Sequence, residues 1–449
     1  MLSKLVALSS FRHAISTIFF LLLSFLSLAL PIYSSSSNQI KESSSSGSSC
    51  IMYDSEENTI TVNCKSANLT DIDNELKDPD ILHRETFDDI WLLNANIVVA
   101  EDAILYINST DTSWLKIAAD GETAYGIYIL GGLKIDSVKI SSWNLETNSY
   151  AITNEDGTIP RPFIRAEPEA TDTIDIINSE IAYLGYGIQV KEDNNKRRSG
   201  IVYYGGDNSM VKGNHIHHNM FGFYSNGVGG LILEDNHVYN NYVYGFDPHT
   251  GTHDMIIRNN TVYDTLHMGI ICSVDCYNII IEDNKVYNNT DAGIMFSRNM
   301  YDSIARNNYV HDEKRCIFVS QSHDNEIYNN RVSNCKNGIH LQHDSYGNKI
   351  YNNTILNSDN GILVETDTNN NTFQSNTIIN SIEYGISVED SKGSINSNNI
   401  FEDNKLINST KSALEEDKKR SRRRRIYGID STLLTSADCK NISRRMVLQ

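Results

Sequence analysis

The sequence predicts an all-β chain folded as a single-stranded parallel β-helix, a solenoid with rungs of 22 to 24 residues. Three observations predict it. An Asn recurs at Asn214, Asn236, Asn260, Asn284, Asn308, Asn330, Asn353, Asn376 and Asn399. Two residues after each of the first eight stands a Val or Ile: Ile216, Val238, Val262, Val286, Val310, Val332, Ile355 and Ile378. A Gly followed by Ile or Phe closes most units, at Gly222, Gly245, Gly269, Gly293, Gly338, Gly361 and Gly385, with Cys316 in its place once. A period of this length marks stacked repeats. Short alternating segments between Asn and Gly, with no helix-length pattern at 3.6 spacing, make each repeat one rung of strands. The Val/Ile column is then the core. The Asn column is a ladder of amides that bond between rungs and accommodate left-handed turns. One rung cannot bury its own apolar face, so stability comes from stacking.

Along the chain, residues 1–33 carry Lys4 and Arg12 ahead of an apolar run from Ile18 to Leu30. That run is shorter than the roughly 20 residues that span a bilayer and reads as an export signal or an N-terminal membrane anchor. Residues 34–49 are a Ser-rich linker. Residues 50–90 are assigned to an N-terminal cap and 91–407 to the helix. Leu92 to Ile107 alternates like strands, and Asn178 opens a rung ending in Gly187 and Ile188. The next rung Asn lies 36 residues on, so about a dozen residues are inserted after Val190. Residues 408–449 form a charged tail with Lys418, Lys419, Arg420 and Arg422 to Arg425, read as solvated chain or as a second cap.

Seven cysteines suit an oxidising compartment and an extracytoplasmic location. Cys50 and Cys64 are placed to close a small loop, and Cys316 and Cys335 lie on successive repeats; Cys272, Cys276 and Cys439 remain. There is no CxxC pair, so no metal site is expected, and no cofactor. The formal net charge of -19 argues against general nucleic-acid binding. A polyanionic partner would need a local basic patch.

Counting outward positions after each Gly aligns Gln189, Tyr224, Asp247, Ile271 and Met295 in one column. Lys191, Asn226, His249, Ser273 and Ser297 form the next, with Arg298 following. A carboxylate and an imidazole thus share a strand with Pro248, which removes a donor from the middle of a stacked sheet. A local rule broken beside two titratable groups marks a functional site.

The run YGFDPH, Tyr244 to His249, resembles the signature of the mannuronan C5-epimerases. WLLNANI from Trp91, RPFI from Arg161, AYLGYGI from Ala182, FGFYSN from Phe221 and GIICS from Gly269 resemble the periplasmic alginate epimerase branch, in the same order, over roughly residues 90 to 310. The resemblance implies a right-handed parallel β-helix that epimerises uronates in an anionic polysaccharide, with Tyr244, Asp247 and His249 as the catalytic group. Two departures stand out: Val274 where that branch has Arg, and Thr250 where it has an acidic residue. Arg298 or Lys191 is the expected replacement for the Arg. Lys191, Lys196, Arg197 and Arg198 in the insert read as a clamp for the polyanion, and Asn226 and His267 as lining of the cleft.

Epimerisation removes the proton α to the carboxylate and returns one from the opposite face. It needs a base, an acid and a group that stabilises charge on the carboxylate. His249 and Tyr244 are the acid–base pair, with their order open, and Asp247 orients His249 or the sugar. Tyr239, Tyr263 and Tyr287 read as a structural stack. The N-x-[ST] sequons at Asn259, Asn288, Asn352 and Asn370 read as products of the Asn ladder. Two alternatives are carried: a polysaccharide lyase, which shares the first step, and a non-catalytic β-helix that binds surface polysaccharide or assists metal-centre assembly. A monomer is expected.

Overall fold

Stacking of the repeats is realised in a computed structural model that describes residues 49–85, 88–154, 156–187, 197–365, 367–389, 398–409 and 445–447. The N-terminal apolar run, Gln189, Lys191, Lys196, the basic run of the tail and Cys439 lie outside the described residues. Three long sheets wind around one core, with 14, 14 and 13 strands. The chain visits each sheet once per rung, which makes a right-handed parallel β-helix. Antiparallel pairs occur at the ends: Ile51–Asp54 with Thr59–Val62, Leu82–Glu85 with Ile90–Leu93, and Ile400–Glu402 with Arg445–Val447. A short helix, Leu69–Leu76, covers the N-terminal end. Asn68 and Asp71 cap it reciprocally, and Leu69 and Ile72 turn inward. Cys50 and Cys64 form a disulfide in this region, and Cys316 and Cys335 form one between adjacent rungs.

The Val/Ile column is the core. Val238, Val262, Val286 and Val310 sit in direct register on successive strands, each fully buried. The Asn ladder is equally regular. Asn260 donates from its backbone and from Nδ2 to Asn284 Oδ1, at 2.9 and 3.0 Å, and from Nδ2 to the Leu233 carbonyl at 2.9 Å. Each ladder Asn is buried, so its amide satisfies groups that water cannot reach.

Four details differ from the sequence expectation. The left-handed turn falls on the residue before each ladder Asn, at Asp235, Asn259, Asp283, Asn307, Asn329 and Asn352, because the ladder residue itself must aim inward. The sequon residues Asn259 and Asn352 are therefore turn positions, and Asn288 and Asn370 hold the same geometry at other corners. The ladder is also not single. Asn325, Asn348, Asn371 and Asn399 form a second one, so the partner of Asn376 is Asn404 and not Asn399. Asn178 is a turn residue, and Ser179 takes the ladder position by donating its N–H to Asn214. Last, the strand of the site sheet on the inserted rung is Gly200–Tyr203, not the segment after Gly187. Both begin with Gly-Ile. Val202 aligns with Tyr224; Gln189, which the sequence placed in that column, lies outside the described residues.

Candidate active site

The strand Tyr244–His249 lies in the 14-stranded sheet that contains each repeat's Gly-Ile segment. Phe246 points into the core between Phe223 and Ile270. Alternation then sends Asp247 and His249 to the outer face. Asp247 pairs with Tyr224 and His249 with Asn226 on one side, and His249 with Ser273 on the other. Pro248 lies between them, opposite Ser225. The strand turns at once into a loop, where the Thr252 hydroxyl donates to the His249 carbonyl at 2.9 Å.

Asp247 is 1% exposed, and its Oδ1 has no hydrogen-bond partner. Burial pushes its carboxyl up to about 7, against the opposing pull of Arg197 and Arg298. His249 moves the other way: burial, then Arg298 and Arg197, bring it down to about 4. Burial raises the Tyr244 phenol, and the charge of Asp247 adds to this. Near neutral pH the strand therefore presents a neutral imidazole, a protonated phenol and a carboxyl poised at its titration point.

The partners of these groups come from neighbouring rungs. Arg298, two rungs beyond His249, sends Nη2 back to Ser273 Oγ at 2.8 Å and to within 3.4 Å of His249 Nε2. The Thr250 hydroxyl lies 2.5 Å from His249 Nδ1. Tyr224 lies beside the imidazole, ring centroids 5.7 Å apart, and its hydroxyl accepts from Asn226 Nδ2 at 3.1 Å. Tyr244 packs on Phe221 at 5.3 Å and stands 6.2 Å from the exposed His267 ring.

Of the basic insert, Arg197 and Arg198 are described. The Arg197 guanidinium lies over Tyr224 at 4.8 Å and Phe221 at 5.0 Å, at the edge of the site. Arg198 instead bonds the Tyr186 hydroxyl at 2.7 Å, at the base of the insert. That base is closed by the Tyr186 N–H donating to the Arg198 carbonyl. Arg161 anchors it from inside. It is fully buried, and its guanidinium donates to the carbonyls of Gly185, Leu184 and His218 at 2.8 to 3.1 Å.

The site columns thus bring together Tyr244, Asp247, His249, Asn226, His267, Arg197 and Arg298. Sequence reasoning missed Tyr224 and Ser273 as contacts, although both stand in the aligned columns. Tyr239, Tyr263 and Tyr287 stack between His217 and His311 on another face, at 4.8 to 5.2 Å. With ring faces covered by one another, they brace rungs.

The fold and site define a right-handed parallel β-helix carrying a cluster of titratable side chains on the outer face of one sheet. A family model described as periplasmic copper-binding protein (NosD) matches residues 170–367. No curated protein matches the chain. Among solved structures, the periplasmic alginate epimerase AlgG is similar, with a TM-score of 0.67 at 21% identity over 78% of this chain and 84% of that one. A mutant of AlgG gives 0.66 at 21% over 78% and 84%. The A-module of the Azotobacter vinelandii mannuronan C-5 epimerase AlgE4 gives 0.46 at 16% over 71% and 85%. The likeness to AlgG supports the fold. Among the described residues no three His, Cys, Asp or Glu side chains gather as metal ligands.

Proposed function

We propose that the chain is a polysaccharide uronate C5-epimerase working outside the cytoplasm. One observation carries the reading: a buried, unpaired carboxyl and an unprotonated imidazole share one outer strand, and guanidinium groups reach it from both sides. The two disulfides suit an oxidising compartment. The structural neighbour AlgG, described as a periplasmic alginate epimerase, agrees in fold.

The protonation states suggest the order of events. His249 is the base, because its imidazole is neutral well below pH 7. Its Nε2 takes the C5 proton, and the electron pair of the C–H bond moves into the carboxylate. Arg298 then stabilises the charge that develops there, filling the role expected of an Arg at Val274, at about 3 kcal/mol by analogy with an oxyanion donor. Asp247, in its acid form, donates a hydrogen bond to the same carboxylate. Tyr244 keeps its proton at neutral pH and delivers it to C5 from the other face. Proton exchange with water resets both groups. Arg197 holds the carboxylate of the entering chain.

The test is proton NMR of polymannuronate incubated with the protein in deuterated water. Guluronate signals with deuterium at C5 are the expected result. Unsaturated chain ends would assign a lyase, and an unchanged spectrum would remove the catalytic reading. His249→Ala and Tyr244→Phe should each abolish exchange while thermal unfolding stays nearly unchanged, since both side chains lie on the outer face.

A further inference from the structure

Beyond Arg298 the outer surface continues as a groove lined by Arg298, Asn299, Gln321, His323, Asp344 and Tyr346. Its chemistry differs from that around His249. Arg298 is the single Arg or Lys lining it, and its Nη2 is turned back to Ser273 and His249. The rest is amide, imidazole, carboxylate and phenol. Asn299 donates to Asp275 Oδ1 at 2.6 Å and meets His323 Nε2 at 3.0 Å, and His323 Nδ1 is 2.9 Å from the Asp324 carboxylate. Asp344 is exposed at a left-handed turn, and Tyr346, 44% exposed, ends the ring stack that includes Tyr301 and His323.

We propose that this groove is a subsite for an uncharged sugar. The polymer handled at His249 is then a heteropolysaccharide in which a neutral residue follows the reacting uronate a few units along. This rests on the uronate reading above and adds the identity of its neighbours. A carboxylate such as Asp344 accepts hydrogen bonds from sugar hydroxyls and repels a second carboxylate. Side-chain amides serve hydroxyls in either direction, and an exposed tyrosine offers apolar surface to a pyranose. A site for consecutive uronates would repeat the guanidinium seen at Arg298 on later rungs. Gln321 and His343 hold those places. Spacing fits as well. Rungs repeat about every 4.8 Å, close to one pyranose in an extended chain. The strand register puts Gln342, just ahead of Asp344, on the fourth rung from His249.

The experiment compares full-length protein on two polymers: polymannuronate, and the same polymer with part of its carboxyl groups reduced to alcohols. Calorimetry gives Kd, and deuterium incorporation at C5 gives kcat/KM. The wild type is expected to favour the partly reduced polymer by about fivefold, the effect of one partly screened like-charge contact. Asp344→Asn should bring that ratio near unity, and Asp344→Lys should invert it. Asn accepts the left-handed backbone at this exposed position, so the variant keeps the fold. A wild-type preference for the fully anionic polymer, or a ratio unmoved by Asp344→Asn, overturns the subsite. The two readings separate cleanly. Exchange at C5 with a ratio indifferent to Asp344 leaves the chemistry standing and removes the subsite. A Kd ratio that responds to Asp344 without exchange in either polymer leaves the subsite and removes the epimerase.

Discussion

Asp247→Asn tests the physical basis of the site. The wild-type carboxyl is 1% exposed and moves from 3.8 to about 7 on burial. The sign follows from proton binding. Below about pH 4 both folded and unfolded chains hold the proton, and nothing is lost. Between about pH 4 and 7 the unfolded chain releases it while the folded chain retains it, so stability falls as pH rises. At 1.36 kcal/mol for each tenfold change in proton affinity, the full span is about 4 kcal/mol by pH 7, an upper bound for a group near two guanidinium charges. Asn keeps the shape and does not titrate. The variant should therefore match the wild type at pH 4 and exceed it by on the order of 2–4 kcal/mol at pH 7.5. Urea denaturation at both pH values, followed by circular dichroism, measures this. An advantage equal at the two pH values, or a loss at pH 7.5, would refute the claim that burial of a charge dominates at Asp247.

In the wild type, kcat/KM should rise through about pH 4 as His249 loses its proton and fall through about pH 7 as Asp247 ionises; Asp247→Asn should lack the basic limb. Arg298→Ala removes one cause of the low His249 value, so the acidic limb should move toward pH 6.5, and KM should increase. An unmoved limb in a pH–rate series would dissociate Arg298 from His249. Asn260→Ala strands the Asn236 N–H and the Leu233 carbonyl inside the protein and should cost about 2–5 kcal/mol, read from the denaturation midpoint. Replacing Cys316 and Cys335 with Ser should cost about 3 kcal/mol, given a loop of 19 residues. No change after this replacement would mean the bond does not restrain the unfolded chain.

How much was legible depended on distance along the chain. The repeat length, the Val/Ile column and the strict alternation of a strand are local properties. They sufficed to put Asp247 and His249 on one outer face and Phe246 beneath them. Pro248 advertised the site because a missing donor in a stacked strand is visible in the sequence. The reading failed where an insertion separates a residue from its neighbours. Gly187-Ile188 and Gly200-Ile201 are locally equivalent, and only stacking against Phe163–Ala166 and Phe221–Asn226 chooses the second. Asn399 and Asn404 are likewise both good ladder residues, and the rung beneath decides which meets Asn376.

The sequence by itself therefore determined the solenoid, its core and the strand that bears Asp247 and His249, because periodicity is written in covalent spacing. Only the tertiary structure decided that Arg298 reaches back across two rungs to His249, that Arg197 lies over Tyr224, and that Arg198 turns away to Tyr186. It also decided the charges. The opposite shifts of Asp247 and His249 come mainly from loss of water around each group, and that depends on what packs over the outer face.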